Sequence, residues 1–227
     1  MSTSMQFDQF AGNYQEVLDR AVAASGEGSA YFAEYKARYL ARVIPKALFA
    51  RVLDYGCGVG LLSKFLRGHL QPSRLDGFDV SRDSIAQVDL SLTREGTFTS
   101  DQNQLCSDYT LIVVANVLHH VDPEQRAGLV KELSFRLSNG GMLAIFEHNP
   151  ANPVTRRTVD RCPFDRGVVL LPPTESQSYV DAAHLKLLRR DYIVFMPRAL
   201  SALRLLEPAL AWLPLGAQYV VLGEKRA

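Results

Sequence analysis

The sequence predicts an α/β fold, with a mostly parallel sheet and helices on both faces of that sheet. Apolar segments of strand length alternate with segments whose apolar residues recur at helical spacing. Segment 109–115 is rich in apolar and β-branched residues, which is typical of a strand covered on both faces. Strands separated by helices favour right-handed crossovers and place ligands at the carboxyl ends of the strands.

The composition narrows the class of protein. The 227 residues fit one large domain, and 25 basic against 24 acidic side chains leave a net charge of +1. Without an overall field, neither nucleic acid nor an anionic membrane surface is an expected partner. Cys57, Cys106 and Cys162 are widely spaced, which argues against a disulfide framework and a zinc site, so no metal is predicted. No secretion signal or membrane span is recognised, and we expect a cytoplasmic protein.

The first half of the chain contains the clearest alternation. Aromatic and apolar spacing predicts one helix around 7–18 and a second from about residue 31 to 44, with a break at 25–28. The elements predicted next are a strand at 51–55, a helix at 61–70, a strand at 75–80, a helix at 84–92 and strands at 96–99 and 109–115.

The second half is less regular. Asp122 and Pro123 are typical of a helix start, and the predicted helix runs through Leu137 and is closed by the glycines of 139–141. Residues 149–173 are predicted to be irregular because they carry prolines. The remaining predicted elements are a strand at 142–146, a helix near 175–188, a strand near 192–196, an apolar helical segment at 198–213 and a last strand at 218–222.

A glycine-rich turn follows the first predicted strand. Gly56, Gly58 and Gly60 allow a ligand to approach the backbone closely at the positive end of the next helix. A dinucleotide fingerprint needs its third glycine at position 61, where Leu61 stands. Asp54 would repel a pyrophosphate but attract a cationic amino-acid group. These features disfavour a nucleotide-dependent oxidoreductase.

Five polar residues end the later predicted strands. Asp79 can accept both hydroxyls of a ribose. His119, His120, Glu147 and His148 follow the fourth and fifth strands, where they can orient an acceptor or take its proton. A structural role in capping loops and helices is the alternative for these four residues. A metal site would need more ligands than the histidine pair provides.

Four segments carry motifs of one family, in that family's order. They are DYGCGVG at 54–60, FDVS at 78–81, NVLHHV at 116–121 and LSNGG at 137–141. Together they resemble the class I S-adenosylmethionine-dependent methyltransferases. The resemblance implies a Rossmann-like seven-stranded sheet whose last strand inserts antiparallel between strands five and six.

The resemblance also implies a set of cofactor-binding residues for S-adenosylmethionine. Gly56 and Gly58 match the positions against the methionine part, and Asp79 matches the residue that binds the ribose hydroxyls. Asp101 and Gln102 match the position that binds the adenine amino group in family members. The full predicted set is Asp54, Gly56, Cys57, Gly58, Gly60, Asp79, Asp101, Gln102, Asn116, Tyr31 and Lys36.

Tyr31 and Lys36 belong to this set because the N-terminal helices of similar proteins cover the cofactor as a lid, where an aromatic ring can face the sulfonium. The predicted organisation is one domain, with a helical lid at 1–50, a cofactor-binding core at 51–148 and substrate-side segments with the final strands at 149–227. The apolar segment 198–213 is predicted to cover the pocket or to form a homodimer contact.

Segments 146–153 and 161–165 resemble a bacterial subgroup of small-molecule methyltransferases. The predicted reaction is in-line transfer of the sulfonium methyl group to an oxygen of a small molecule, driven mainly by positioning. An inactive cofactor-binding protein that serves as a partner or regulator is the alternative from another class.

Overall fold

The computed structural model describes residues 14–165 and 167–226. Most of the helix predicted around 7–18 lies outside this part of the chain, and its described portion begins helix α1, Tyr14–Val22. Helix α2, Ser29–Val43, confirms the second predicted helix. Gly26, with φ 77°, turns the chain between α1 and α2 in the left-handed region that glycine tolerates.

The described residues form a seven-stranded sheet in the order β3-β2-β1-β4-β5-β7-β6. Strands β1 to β5 pair in parallel, whereas β7 pairs antiparallel with both β5 and β6. The strands are β1 Arg51–Tyr55, β2 Arg74–Phe78, β3 Phe98–Thr99, β4 Tyr109–Ala115, β5 Leu137–His148, β6 Leu185–Ile193 and β7 Gln218–Lys225. The predicted sheet, including its inserted antiparallel strand, is confirmed.

Helices pack on both faces of the sheet, as predicted. Alternate residues of β4 point to opposite faces, so Leu111 joins one buried cluster with Leu40 and Leu66, while Ile112 joins a second with Leu133. The further helices are α3 Leu61–Leu70, α4 Arg82–Ile85, α5 Leu90–Thr93, α6 Pro123–Phe135, α7 Pro153–Arg161 and α8 Pro173–Ala182. None of the helices in the described ranges is long and apolar enough to cross a bilayer.

Two predictions in the middle of the chain are wrong. The helix expected through Leu137 ends at Phe135, and β5 begins at Leu137 rather than Met142. The glycines expected to close that helix lie inside β5, where Gly140 adopts φ 74° and the register with β4 shifts. The helix expected at 84–92 is divided into α4 and α5, each with its own side-chain N-cap.

The prediction also fails in parts of the last third. Segment 149–173, expected to be irregular, contains α7, which Asn152 caps by accepting from two backbone N–H groups. The expected helix to residue 188 stops at Ala182, and β6 starts at Leu185, before the strand expected near 192–196. Charged side chains on this edge strand break the apolar alternation that identifies a strand. Segment Arg198–Leu210 is a 3₁₀ helix with Pro208 inside.

A fully buried arginine fastens α6 to the segment that precedes α8. The Arg126 guanidinium donates to the carbonyls of Val121 at 2.9 Å and Val169 at 2.8 Å, and to Glu175 at 3.1 Å. These bonds satisfy a charge that would be costly to bury unpaired. Arg126 therefore connects Val121, which lines the cavity described below, to the segment that precedes α8.

We expect Arg126→Ala to lower the free energy of unfolding by roughly 2–4 kcal/mol, because it leaves buried carbonyls without donors and opens a void. Denaturant unfolding measures the change. Lys131→Ala, an exposed position on the same helix, is the matched control and should stay within about 0.5 kcal/mol of the wild type. Equal effects for the two variants would contradict the assigned role of Arg126.

Candidate active site

A cavity of about 600 Å³ opens at the carboxyl ends of the parallel strands. Its wall combines the glycine turn after β1, the ends of β2 and β4, helices α1 and α2, and the irregular segment 194–197. The volume is typical of small-molecule sites. The predicted site residues that line it are Tyr31, Lys36, Asp54, Gly56, Cys57, Gly58, Asp79, Asn116, His120 and His148.

The turn after β1 has a backbone conformation, and at Gly56 a lack of space, that require glycine. Gly56 has φ 80°, and a Cβ there would lie 2.3 Å from Val117 Cγ2. Gly58 has φ 53°, and its N–H donates to Asp79 Oδ2 at 2.8 Å. Asp79 Oδ1 also accepts from the N–H of Ser81 at 2.9 Å. One carboxylate thus holds the loops after β1 and β2 together.

Two buried ionisable side chains, those of Asp54 and Lys36, lie close to the turn. Burial raises the pKa of Asp54 to about 7, although a 2.6 Å hydrogen bond from Ser63 Oγ and the charge of Lys36 oppose the rise. Burial lowers the pKa of Lys36 to about 8, against the charges of Glu147 and Asp54. The thiol of Cys57 is also buried, which raises its pKa and removes it as a nucleophile. A cation placed beside Asp54 would favour its ionised form.

Three buried polar atoms on the cavity wall have no hydrogen-bond partner among the described residues. They are Tyr31 Oη, Asn116 Oδ1 and Gln218 Oε1. Asn116 also has a left-handed φ of 58°, a backbone conformation that is uncommon for residues other than glycine. Gln218 was not predicted as a site residue, because its sequence signal is that of a strand. Unpaired buried acceptors and donors are costly unless a ligand satisfies them.

Three residues of the predicted cofactor set lie outside the cavity lining. Gly60, with φ 83°, is the N-cap of α3. Asp101 caps a short 3₁₀ helix by accepting from the N–H of Asn103. Gln102 donates to Tyr55 Oη at 2.8 Å. Their proposed contacts with the cofactor stay predictions.

The ring of Tyr31 already has a cationic neighbour. The Arg204 guanidinium lies 4.3 Å from the ring centroid, and Arg204 is paired with Glu27. Burial raises the pKa of Tyr31 to about 12, so the hydroxyl keeps its proton and can donate. Contact between this ring and a sulfonium therefore stays a prediction.

Two of the four predicted catalytic residues lie behind the wall. Glu147 is wholly buried, and its Oε1 accepts from the N–H groups of Val117 at 3.1 Å and Leu118 at 2.7 Å. Its Oε2 lies 2.5 Å from His119 Nδ1. Neither Glu147 nor His119 lines the cavity, and a direct contact of either residue with an acceptor stays a prediction.

Asp165, which was not among the predicted site residues, joins this network from the turn after α7. Its Oδ1 lies 3.4 Å from His119 Nε2 and 3.3 Å from His120 Nε2. The ring of His148 lies 5.2 Å from that of His119, between centroids, and completes a cluster of three imidazoles and two carboxylates. His120 and His148 present this cluster to the cavity.

Charge within the cluster is unevenly distributed. Burial disfavours a protonated His119, but the charges of Glu147 and Asp165 outweigh burial and raise the His119 pKa to about 9. Burial lowers the pKa of His148 to about 4 and also lowers that of His120. Although burial alone would raise the pKa of Asp165, its histidine neighbours hold it well below the usual range. The cluster therefore contains ionised carboxylates around one centre of positive charge.

The comparisons with known sequences identify the family. A family model described as a methyltransferase domain matches residues 29–192. An uncharacterized protein of Synechococcus sp. is 31% identical over an alignment of 106 residues, which covers 42% of this chain and 25% of that protein. The chain therefore spans about a quarter of the length of this curated relative.

Solved structures share the fold at low sequence identity. A SAM-dependent methyltransferase from Archaeoglobus fulgidus gives a TM-score of 0.65 at 16% identity, covering 87% of this chain and 95% of that one. An S-adenosylmethionine-dependent methyltransferase from Mesorhizobium loti gives a TM-score of 0.60 at 22% identity, covering 85% of this chain and 98% of that one. Magnesium protoporphyrin IX methyltransferase from Synechocystis PCC 6803 with bound SAH gives a TM-score of 0.61 at 12% identity, covering 91% of this chain and 86% of that one.

The sheet order and the glycine turn at its centre are those of the class I S-adenosylmethionine-dependent methyltransferase fold. Because the family model covers more than half of the chain, the protein belongs to the methyltransferase-domain family, whose cofactor is S-adenosylmethionine. The cavity fits this cofactor: Asp79 offers a carboxylate that could accept ribose hydroxyls, Asp54 offers a buried carboxyl group that could pair with a cationic tail, and Asn116 has an unsatisfied acceptor.

Gly56→Ala should abolish detectable S-adenosylmethionine binding in calorimetry, because the new methyl group would collide with Val117 and distort the turn. Gly140→Ala is the matched control. It carries a similar positive φ of 74° with nothing within 4 Å of the new Cβ, so both variants bear a left-handed strain of about 1–2 kcal/mol. If both variants lost S-adenosylmethionine binding, the cause would be general destabilisation rather than the collision with Val117.

We expect the ionisation of Asp54 to make cofactor binding pH-dependent. Between about pH 6 and 7.5 its carboxyl loses its proton, while Lys36 stays charged and the cofactor's amino group, with a pKa near 7.7–8.0, stays largely protonated. The neighbouring Asp79 keeps its hydrogen bonds to the glycine turn. Affinity for the cationic cofactor should therefore rise about five- to tenfold across this window.

Calorimetric titrations at several pH values measure this change. Asp54→Asn should bind more weakly and show a flat profile over the same range. A flat profile in the wild type, or an equal slope in the variant, would remove Asp54 as the titrating group.

Proposed function

We propose that this protein transfers the methyl group of S-adenosylmethionine to a hydroxyl oxygen of a small molecule with an apolar body. The observation that carries the proposal is the single cavity that extends from Asp79 and the glycine turn to His120 and His148. Its volume of about 600 Å³ suits a cofactor together with a small acceptor. Transfer then depends chiefly on holding the two reactants in line.

The cofactor half of the cavity uses backbone and carboxylates. When bound, S-adenosylmethionine supplies an electrophilic methyl group on a sulfonium. Asp79 accepts ribose hydroxyls while keeping its bonds to the loops after β1 and β2. Asp54 faces the cationic tail, and Asn116 Oδ1 and Tyr31 Oη satisfy their unused hydrogen-bonding capacity on the ligand.

The acceptor half is mainly apolar and comes from several separate segments. Val121 and Leu129 contribute one side, Val154 of α7 another, and Phe195 and Met196 a third. An acceptor with an apolar body would bury surface against these side chains at about 25 cal/mol per Å². Its reacting hydroxyl would then point toward the polar remainder of the wall.

The polar remainder of the wall favours an oxygen nucleophile. A hydroxyl must lose its proton as its oxygen bonds to the methyl carbon, and an imidazole at the wall can accept it. His148 ends β5 at this position, and Glu147 and His119 hold the neighbouring turn. In the proposed reaction the O–C bond forms as the S–C bond breaks, and the proton passes to His148.

The proposal is tested with S-adenosylmethionine labelled with ¹³C in the methyl group. The full-length protein is incubated with hydroxyl-bearing aromatic and aliphatic compounds, and the carbon chemical shift of each product identifies the methylated atom. We expect O-methyl products. Products methylated only on nitrogen or carbon would contradict the oxygen assignment, and cofactor binding without turnover would identify an inactive binding protein.

His148→Gln should lower kcat for the acceptor found in this screen by at least about 100-fold, because general-base assistance contributes about 10²–10⁴ in rate. S-adenosylmethionine affinity should stay within about twofold. His184→Gln, at an exposed histidine outside the cavity, is the matched control. A kcat of His148→Gln within threefold of the wild type would exclude His148 as the base.

A further inference from the structure

Three potential ligand atoms converge behind the imidazole side of the cavity. They are His119 Nε2, His120 Nε2 and Asp165 Oδ1, and all lie within 4.8 Å of one another. We propose that this cluster is a binding site for a divalent transition-metal ion of the Zn²⁺ or Fe²⁺ type. Sequence analysis predicted no metal because the histidine pair provides only two ligands, and the third comes from a turn distant in sequence.

The separations within the cluster match ligands around an ion better than hydrogen bonds. Asp165 Oδ1 lies 3.4 Å from one imidazole nitrogen and 3.3 Å from the other. A charge-assisted N–H···O bond would bring nitrogen and oxygen to about 2.7–2.9 Å. Tetrahedral ligands at about 2.0–2.1 Å from a zinc ion lie about 3.3–3.4 Å apart.

An independent observation points to a missing ligand. His119 is 2% exposed, and its Nε2 has no hydrogen-bond partner among the described residues, despite the nearby Asp165 carboxylate. Such a buried nitrogen is costly when it bonds to nothing. An ion between His119 and Asp165 would replace the Nε2 proton that the two carboxylates favour, and would bind both the freed lone pair and the Asp165 oxygen.

Glu147 occupies the position of an outer-shell partner. Its Oε2 lies 2.5 Å from His119 Nδ1, which fixes the ring and leaves Nε2 to face Asp165. Metal-bound histidines commonly direct their second nitrogen to a carboxylate in this way, and the carboxylate makes the ligand more basic. Glu147 is itself held by two backbone N–H groups, so the ring orientation is set before any ion binds.

The donor set indicates the kind of ion. Two imidazoles and one carboxylate suit Zn²⁺, Fe²⁺ and similar ions, whereas Mg²⁺ and Ca²⁺ prefer oxygen ligands throughout. Three protein ligands leave a coordination position open for water or an acceptor. One of the three ligand residues, His120, lies on the cavity wall. A role in lowering the pKa of an acceptor hydroxyl rests on the proposed function; the binding of the ion does not.

The test uses the full-length protein after removal of metals with a chelator. Zn²⁺ is titrated in competition with a chromogenic chelator, and Co²⁺ is titrated separately while visible absorption reports its coordination. We expect one equivalent of each ion to bind, with Co²⁺ bands typical of low coordination number. His119→Gln and Asp165→Asn should each weaken Zn²⁺ binding by at least about 100-fold, and Glu147→Gln by about 10–100-fold.

His69→Gln, at a partly exposed histidine paired with Glu34, is the matched control and should bind Zn²⁺ as the wild type does. Calorimetry with S-adenosylmethionine verifies that each variant is folded and separates this proposal from the proposed function. A wild type that binds the cofactor but takes up neither ion overturns the metal site. Uptake that His119→Gln and Asp165→Asn leave unchanged also overturns it.

Discussion

The rest of the site depends on the hydrogen bonds of one buried carboxylate, that of Glu147. A carboxylate taken fully out of water costs several kcal/mol unless donors surround it. The backbone N–H groups of Val117 and Leu118 and the ring of His119 meet that demand. Because Glu147 belongs to β5 and its partners follow β4, the ends of two central strands are fixed relative to each other. His120 and His148, at the cavity wall, directly follow His119 and Glu147 in the chain, so the contact between those two residues sets their positions.

Under the proposed function, different kinds of structure form the two halves of the cavity. The cofactor half consists of turns between strand and helix, in which Gly56 and Gly58 allow only one backbone path and Asp79 fastens it. The acceptor half consists of side chains from α7 and segment 194–197, which the sheet positions less directly. Substitutions in the second half can therefore alter the pocket while the glycine turn keeps its shape. This division agrees with the general rule that function resides in sites carried by a common fold.

The sequence predicts the parts of this protein that depend on local patterns. β1, α3 and β4 begin and end as predicted, because each is a distinct apolar run of fixed period. The first four residues of β6 were predicted as part of a helix, since an edge strand with charged side chains loses that pattern. Asp165 and Gln218 reach the site only through tertiary structure. The resemblance of segment 161–165 gave Asp165 no role, and Gln218 stands in a segment with the pattern of a strand. The sequence thus predicted ten residues that line the cavity, but neither Gln218, which also lines it, nor Asp165, which lies behind it.

The insertion of β7 has a consequence for the order in which the molecule assembles. β5 and β6 are not neighbours in the sheet, and each offers its edge to β7, which follows both in the chain. Until β7 is synthesised, both edges have unpaired backbone groups, a condition that invites pairing with other chains. Such distant pairings also form slowly. The completed pocket, with Gln218 beside His148, is therefore a late product of folding, and the nascent protein is most vulnerable to aggregation just before that strand emerges.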